Sequence, residues 1–254
     1  MGRDNKQETT IYWAATRGSN AETYDLNHLY PEVRSLYEEI VPRKVSLKDN
    51  LNDFLRCPAF SDLAKNTFVH RAPVDTRATL DFDRKRASHI FDNQLDKNKF
   101  QVRLDFMREP TIEGHNLIQY NWPVVFFSEE DSMMATLTAP YFERTTSSQY
   151  GVVVPGRFDI GKWFRPMNME FQLWEGVSEI RVAAGEALCY LHFDTDKKIT
   201  LRRFIMNREL DRIVLSTLKV SPFRRFARLS DRYGVFERSQ SKQRVLKLIR
   251  QQIV

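Results

Sequence analysis

The residues best suited to chemistry in this sequence are His192 and Asp194, which flank Phe193 in a stretch that reads as a strand. Alternation turns both side chains to one face. A histidine and a carboxylate so placed supply two of the three donors of a two-histidine, one-carboxylate iron site. The third donor, a second histidine downstream, is missing. His192 is the last histidine, and His28, His70, His89 and His115 are scattered upstream with no His-x-His or His-x₃-His spacing. The preferred reading is a His–Asp pair sharing a hydrogen bond or ion pair on a sheet face, with no metal and no cofactor.

A second candidate is the segment from Gly151 to Pro166, where glycines and prolines punctuate alternating aromatic and charged residues. Glycine permits close backbone approach to a ligand, and arginine suits anions. Arg157, Asp159, Trp163 and Arg165, with His192 and Asp194, form the candidate small-ligand site. The equally weighted alternative is a stiff crossover between sheets. Neither a phosphate-binding Gly-x₄-Gly-Lys-Ser/Thr loop nor a dinucleotide-binding Gly-x-Gly-x-x-Gly is present.

Other chemistry has less support. Cys57 has no histidine nearby in sequence, and an unpaired cysteine is ordinarily a small buried apolar residue. No Gly-x-Ser-x-Gly elbow exists. Glu129, Glu130 and Asp131 follow an apolar run and read as a solvated turn. Residues 219–254 carry ten Lys or Arg against two acids, leaving 29 basic and 31 acidic residues before them, so the net charge of +6 belongs to the tail. Its Arg224, Arg225, Arg228, Arg244, Lys247 and Arg250 could contact nucleic-acid phosphates. No nucleic-acid-binding motif accompanies them, and a basic surface on a docked helical layer is preferred.

These residues need elements to hold them. Thr10–Ala15 is rich in β-branched and aromatic side chains and predicts a strand. Pro31 opens a helix carrying Val33, Leu36, Tyr37, Ile40 and Val41, with Pro42 as its stop. Between about 66 and 205 the pattern is mostly strand. Trp122–Phe127 is a nearly continuous apolar run, as expected of a strand covered on both faces. Met167, Met169, Phe171 and Leu173 alternate with polar residues, so one face is buried. Ala187–Asp194 and Ile199–Ile205 follow as strands, with glycine turns at Gly176 and Gly185. After residue 206 the period becomes helical: Asn207 caps Leu210, Ile213, Val214 and Leu218. A short helix with Phe223 and Phe226 comes next, then one placing Val245, Leu248, Ile249 and Ile253 on a single face.

The expected fold is thus α+β and mainly β. It is an antiparallel sandwich or barrel, jelly-roll-like, with an N-terminal helix and a basic helical C-terminal layer. Residues 1–205 form the β-rich part and 206–254 the helical part of one globular unit. The chain is 42% hydrophobic, which argues against disorder. Cys57 and Cys189 are too few for a disulfide framework, which favours a reducing compartment. No stretch approaches the roughly 20 apolar residues of a membrane helix. The N-terminus reads as neither a signal peptide nor a myristoylation site.

Three segments together resemble a known group of proteins. They are Cys57–Phe60 leading into Lys65–Val69; Pro155–Pro166, the most specific; and Gly185-Glu186 through His192–Lys198 to Arg203-Phe204. They are similar to a family of large contractile-tailed phages of marine cyanobacteria and similar hosts, one to which no activity attaches. The resemblance implies a viral product made in the host cytoplasm, or one carried in the virion. A looser similarity runs to cupins and deoxyuridine-triphosphate nucleotidohydrolases through Pro155-Gly156 and Gly185-Glu186, and implies barrel geometry without either activity.

The expected function is non-enzymatic binding of a host or phage macromolecule, with a protein as partner and no membrane. The alternatives are an oxygenase-like or cupin-like β-barrel enzyme and nucleic-acid binding through the tail.

Overall fold

Alternation along the first strand already dictates the layering. In β1 (Glu8–Ala15), Ile11, Trp13 and Ala15 enter one apolar cluster while Tyr12 and Ala14 enter another. A computed structural model describes residues 8–16, 33–45, 57–84, 86–90, 103–106, 116–121, 124–218, 234, 236 and 241–254. The next strands are β2 (Arg34–Ser35), β3 (Thr67–Arg71), β4 (Thr76–Asp81), β5 (Arg86–Ile90) and β6 (Arg103–Phe106). Then come β7 (Leu117–Asn121), β8 (Val124–Ser128), β9 (Met134–Thr138), β10 (Gly151–Val153) and β11 (Gly156–Asp159). The last four are β12 (Met169–Leu173), β13 (Glu179–Val182), β14 (Ala187–Phe193) and β15 (Lys198–Arg203).

Among the described residues the strands form four sheets, ordered β15-β1-β8, β10-β12-β7-β6, β11-β9-β14-β3-β2 and β13-β4-β5. All pairings among the described residues are antiparallel except β1 with β15, which is parallel. The chain is therefore mainly β, as expected, but the sheets are not uniformly antiparallel. Among the described residues no sheet closes into a barrel.

The largest apolar cluster draws on every sheet, including Phe68, Leu80, Ile118, Phe126, Leu137, Phe171, Val182 and Phe193. The opposite face of β1 and β8 presents Tyr12, Val125 and Phe127 to two helices, α3 (Arg208–Leu218) and α4 (Ser241–Arg250). Every residue of β8 is buried, as its continuous apolar run requires. Asn207 accepts a hydrogen bond from the Leu210 N–H at 2.8 Å, the cap expected from the sequence. Leu210, Val214, Val245, Leu246 and Ile249 supply the stripes that α3 and α4 bury. Burying a side chain of this size contributes about 1.5–3 kcal/mol. Phe223 and Phe226 lie outside the described residues.

On the far side, α1 (Leu36–Val45) and α2 (Pro58–Lys65) cover part of the five-stranded sheet through Leu36, Ile40 and Ala64 against Val69, Ala187 and Tyr190.

Several local expectations change. The first helix starts at Leu36, not at Pro31, which lies outside the described residues. Its entry is a reciprocal cap, with the Ser35 hydroxyl accepting from the Glu38 N–H and the Glu38 carboxylate accepting from the Ser35 N–H, each at 3.2 Å. It also runs past Pro42 to Val45. Cys57 is exposed, at the N-cap of α2 with Pro58 in the first turn, while Cys189 is buried. Ile253 does not continue α4; it pairs with Phe204 as an isolated antiparallel bridge. Among the described residues no helix is long and apolar enough to cross a membrane.

Candidate functional site

Register places one row of polar side chains across four strands of the five-stranded sheet. Arg157 on β11 lies opposite Thr136 on β9, Thr136 opposite His192 on β14, and His192 opposite Thr67 on β3. Strand alternation gives all four the same face, because Phe193 and Leu191 point into the large cluster. Asp194, just past the end of β14, is anchored by its N–H to the Met134 carbonyl at 2.9 Å.

Three of the six candidate ligand residues meet here. The Arg157 guanidinium donates to one oxygen of Asp194, and His192 Nε2 lies 3.7 Å from the other. That separation is an ion pair when the imidazole is protonated and too long for a hydrogen bond. The other ring nitrogen, Nδ1, is 3.1 Å from Thr67 Oγ1. The Thr67 hydroxyl donates to the Leu63 carbonyl at 2.7 Å. With its proton given to Leu63, the Thr67 hydroxyl is left to accept at the Nδ1 contact.

The row superficially matches a hydroxyl–imidazole–carboxylate triad, but its wiring is wrong for attack. A nucleophile must hand its proton to the imidazole. Thr67 is 1% exposed, and its proton goes to a backbone carbonyl. As metal donors, His192 and Asp194 make two, and Asp194 is shared with Arg157. Among the described residues no three His, Cys, Asp or Glu side chains converge.

Asp159, Trp163 and Arg165 are used elsewhere. Asp159 Oδ1 accepts from Gly161 N–H at 3.0 Å and Met133 N–H at 3.3 Å, closing the turn after β11. Trp163 packs edge-on against Phe158 at 5.4 Å, with the Arg165 guanidinium 5.0 Å from its ring centre. Phe164 is buried against Phe127. This segment therefore serves as a crossover whose aromatics pack within the chain, and only Arg157 reaches the His–Asp pair.

A groove of about 990 Å³ opens beside that pair. Asp62, Leu63 and Asn66 line one bank, Asp194, Lys198 and Ile199 the other, and Phe68 and His192 also face it. The Asn66 side-chain amide donates to the Thr195 carbonyl and ties the banks together at one end. The alternation read in the sequence located His192 and Asp194. The opposite bank is carried by α2, whose signal in the sequence is Pro58 in the first turn.

The candidate nucleic-acid residues divide. Arg224, Arg225 and Arg228 lie outside the described residues. On α4, Lys247 is exposed, while Arg244 donates to Glu209 at 2.9 Å and Arg250 pairs with Glu129 at 3.0 Å. Lys242 pairs with Asp131 at 3.1 Å and donates to the Glu130 carbonyl. The acidic run 129–131 is the solvated turn expected, with Glu129 and Asp131 exposed, and the carboxylates of those two residues also pair with Arg250 and Lys242 of α4.

Compared with models of known protein families the chain matches none, and no functionally curated protein matches it.

Proposed function

We propose that this chain is a non-enzymatic binding protein of a phage, acting on a host or phage macromolecule in the infected cytoplasm or from the virion. The observation that carries the reading is the hydrogen-bond wiring of Thr67. The nearest approach to a catalytic set has a buried hydroxyl whose proton is committed to Leu63, so its chemistry is structural. Beside it lies an accessible groove, walled by a helix and a strand and lined by charges of both signs. Such a lining favours a polar polypeptide over an apolar metabolite. A sandwich-like β body with a helical C-terminal layer is the scaffold of this reading, and the three resembling segments supply its phage origin.

The test places a photo-crosslinking residue at Leu63, which is 41% exposed on the groove bank, in lysate of an infected host. The expected result is one macromolecular adduct, lost when Asp62 and Lys198 are both charge-reversed. A substrate turned over by the purified chain and abolished by His192→Ala, with no adduct from Leu63, would replace this reading with the enzymatic one.

A further inference from the structure

The C-terminal segment of the chain shows how the edge of β15 can be used. Ile205 N–H donates to the Gln252 carbonyl at 2.9 Å, and Val254 N–H donates to the Arg203 carbonyl at 3.2 Å. Phe204 between them turns the other way, its N–H donating to Trp13 on β1 at 3.0 Å. Backbone groups alternate sides along a strand. Even-numbered residues of β15 therefore bond to β1, and odd-numbered ones face outward. Past the reach of Val254, the outward groups are those of Ile199 and Leu201. Among the described residues nothing pairs with them.

This open stretch borders the groove, since Lys198 and Ile199 form part of its lining. Side chains add a second constraint. Ile199 and Leu201 pack against the large apolar cluster. Lys198 and Arg202 project from the opposite face, exposed. Lys198 is shared with Glu8 at 3.3 Å. Two β15 edges from separate copies, paired antiparallel with Ile199 opposite Leu201, would set Lys198 against Arg202 on both sides. Like charges placed directly opposite are destabilising, and basic residues on an edge are a common guard against self-association. The same charges attract a strand of opposite sign.

We propose that β15 accepts an extended polypeptide as an added antiparallel strand, with apolar side chains beside Ile199 and Leu201 and acidic ones beside Lys198 and Arg202. Main-chain bonds supply affinity in this mode, and alternate side chains supply specificity. The proposal rests on the binding reading above and names its partner class.

The probe is a synthetic peptide of alternating valine and glutamate, fluorescently labelled, with a valine–lysine peptide as its counterpart. The glutamate peptide is expected to bind with an affinity that falls as salt rises. It should slow amide exchange at Ile199 and Leu201 and bind about tenfold or more tightly than the lysine peptide. Leu201→Pro removes an outward N–H that β1 does not use, and proline is tolerated on such an edge. It should weaken binding about tenfold. Arg202→Glu, at an exposed site where folding is not at stake, should reverse the preference between the two peptides. Equal binding of both peptides, binding without protection of Ile199 and Leu201, or no binding would each overturn strand addition. A Leu63 adduct to a natural partner alongside any of those results would leave the general binding reading standing and remove only this one.

Discussion

Arg250 at the end of α4 lies 3.0 Å from Glu129, which immediately follows β8, and the other oxygen of that carboxylate accepts the Tyr12 hydroxyl of β1. One acid thus ties the last helix to two strands of the sheet it covers. Lys242 with Asp131 and Arg244 with Glu209 add further ties along the same helix.

The first prediction concerns pH. Burial alone would raise the Glu129 carboxyl, but the Tyr12 hydroxyl and Arg250 guanidinium outweigh it and hold the group below its usual range. Glu130 is lowered as well, by hydrogen bonds from Lys197 and Thr9. A depressed carboxyl stabilises the fold fully above its unfolded pKa, and this is lost as pH falls through the folded value. Amide exchange in α4 should therefore accelerate selectively below about pH 4.5. Glu129→Gln should produce the same acceleration near neutrality. Exchange in α4 that ignores both changes would contradict the tie.

His70 supplies a second, separate pH window. It is buried, and burial pushes its imidazole down to about 4. The unfolded chain binds a proton below about pH 6.5 that the native state refuses. Stability is thus full above 6.5 and declines toward about pH 4, by at most about 1.4 kcal/mol per pH unit. Denaturant titrations of His70→Met should lack this slope.

The helix-side core should behave as a unit. Ile249 is 0% exposed and shares a cluster with Phe127. Ile249→Ala should cost about 2–5 kcal/mol and Phe127→Ala about 3–5 kcal/mol. Their combination should depart from the sum of the two, because both side chains belong to one packed cluster. Full additivity in chemical denaturation would mean that the two sites do not share a packed core.

Gly161 marks where the acidic turn meets the crossover. A Cβ there would overlap the Glu130 carbonyl oxygen and sit 3.3 Å from the Asp131 carbonyl carbon. Neither backbone atom can swing aside cheaply. Gly161→Ala should therefore destabilise the chain and displace the turn on which Lys242 and Arg250 depend, seen as faster exchange in α4. A neutral effect would place the turn farther from Gly161.

The wiring of Thr67 predicts a tautomer. The expected outcome with the hydroxyl present is a His192 ring that carries a proton on Nδ1, donated to Thr67, whose own proton goes to Leu63. Thr67→Val removes that acceptor, and the ring-nitrogen NMR signals of His192 should shift toward the Nε2–H form. An unchanged tautomer ratio would show that another group orients the ring.

By itself the sequence determined the features that follow from one chain segment and its solvent exposure. Met169, Phe171 and Leu173 alternate as a one-sided strand must, residues 124–127 form the unbroken apolar run of a doubly covered strand, and Asn207 caps its helix. His192 and Asp194 were legible as a pair because strand geometry alone puts them on one face. Even local signals misled where two competed: Pro31 and Pro42 suggested a helix that the Ser35–Glu38 cap in fact begins.

Only the tertiary structure decided what those residues meet. Thr67 reaches His192 across 125 positions, and Tyr12 reaches Glu129 across 117. The parallel pairing of β1 with β15 likewise joins distant segments. Side-chain alternation reports which face of a strand is wet, and it says nothing about which strand lies beside it. Whether an acid is solvated or paired, and whether a hydroxyl can give up its proton, depends on atoms that chain folding brings in from elsewhere. For that reason the sequence places Glu129–Asp131 at the surface, where they are, without naming Arg250 and Lys242 as partners of Glu129 and Asp131, and the Thr67–His192–Asp194 cluster is set by register rather than by any local pattern.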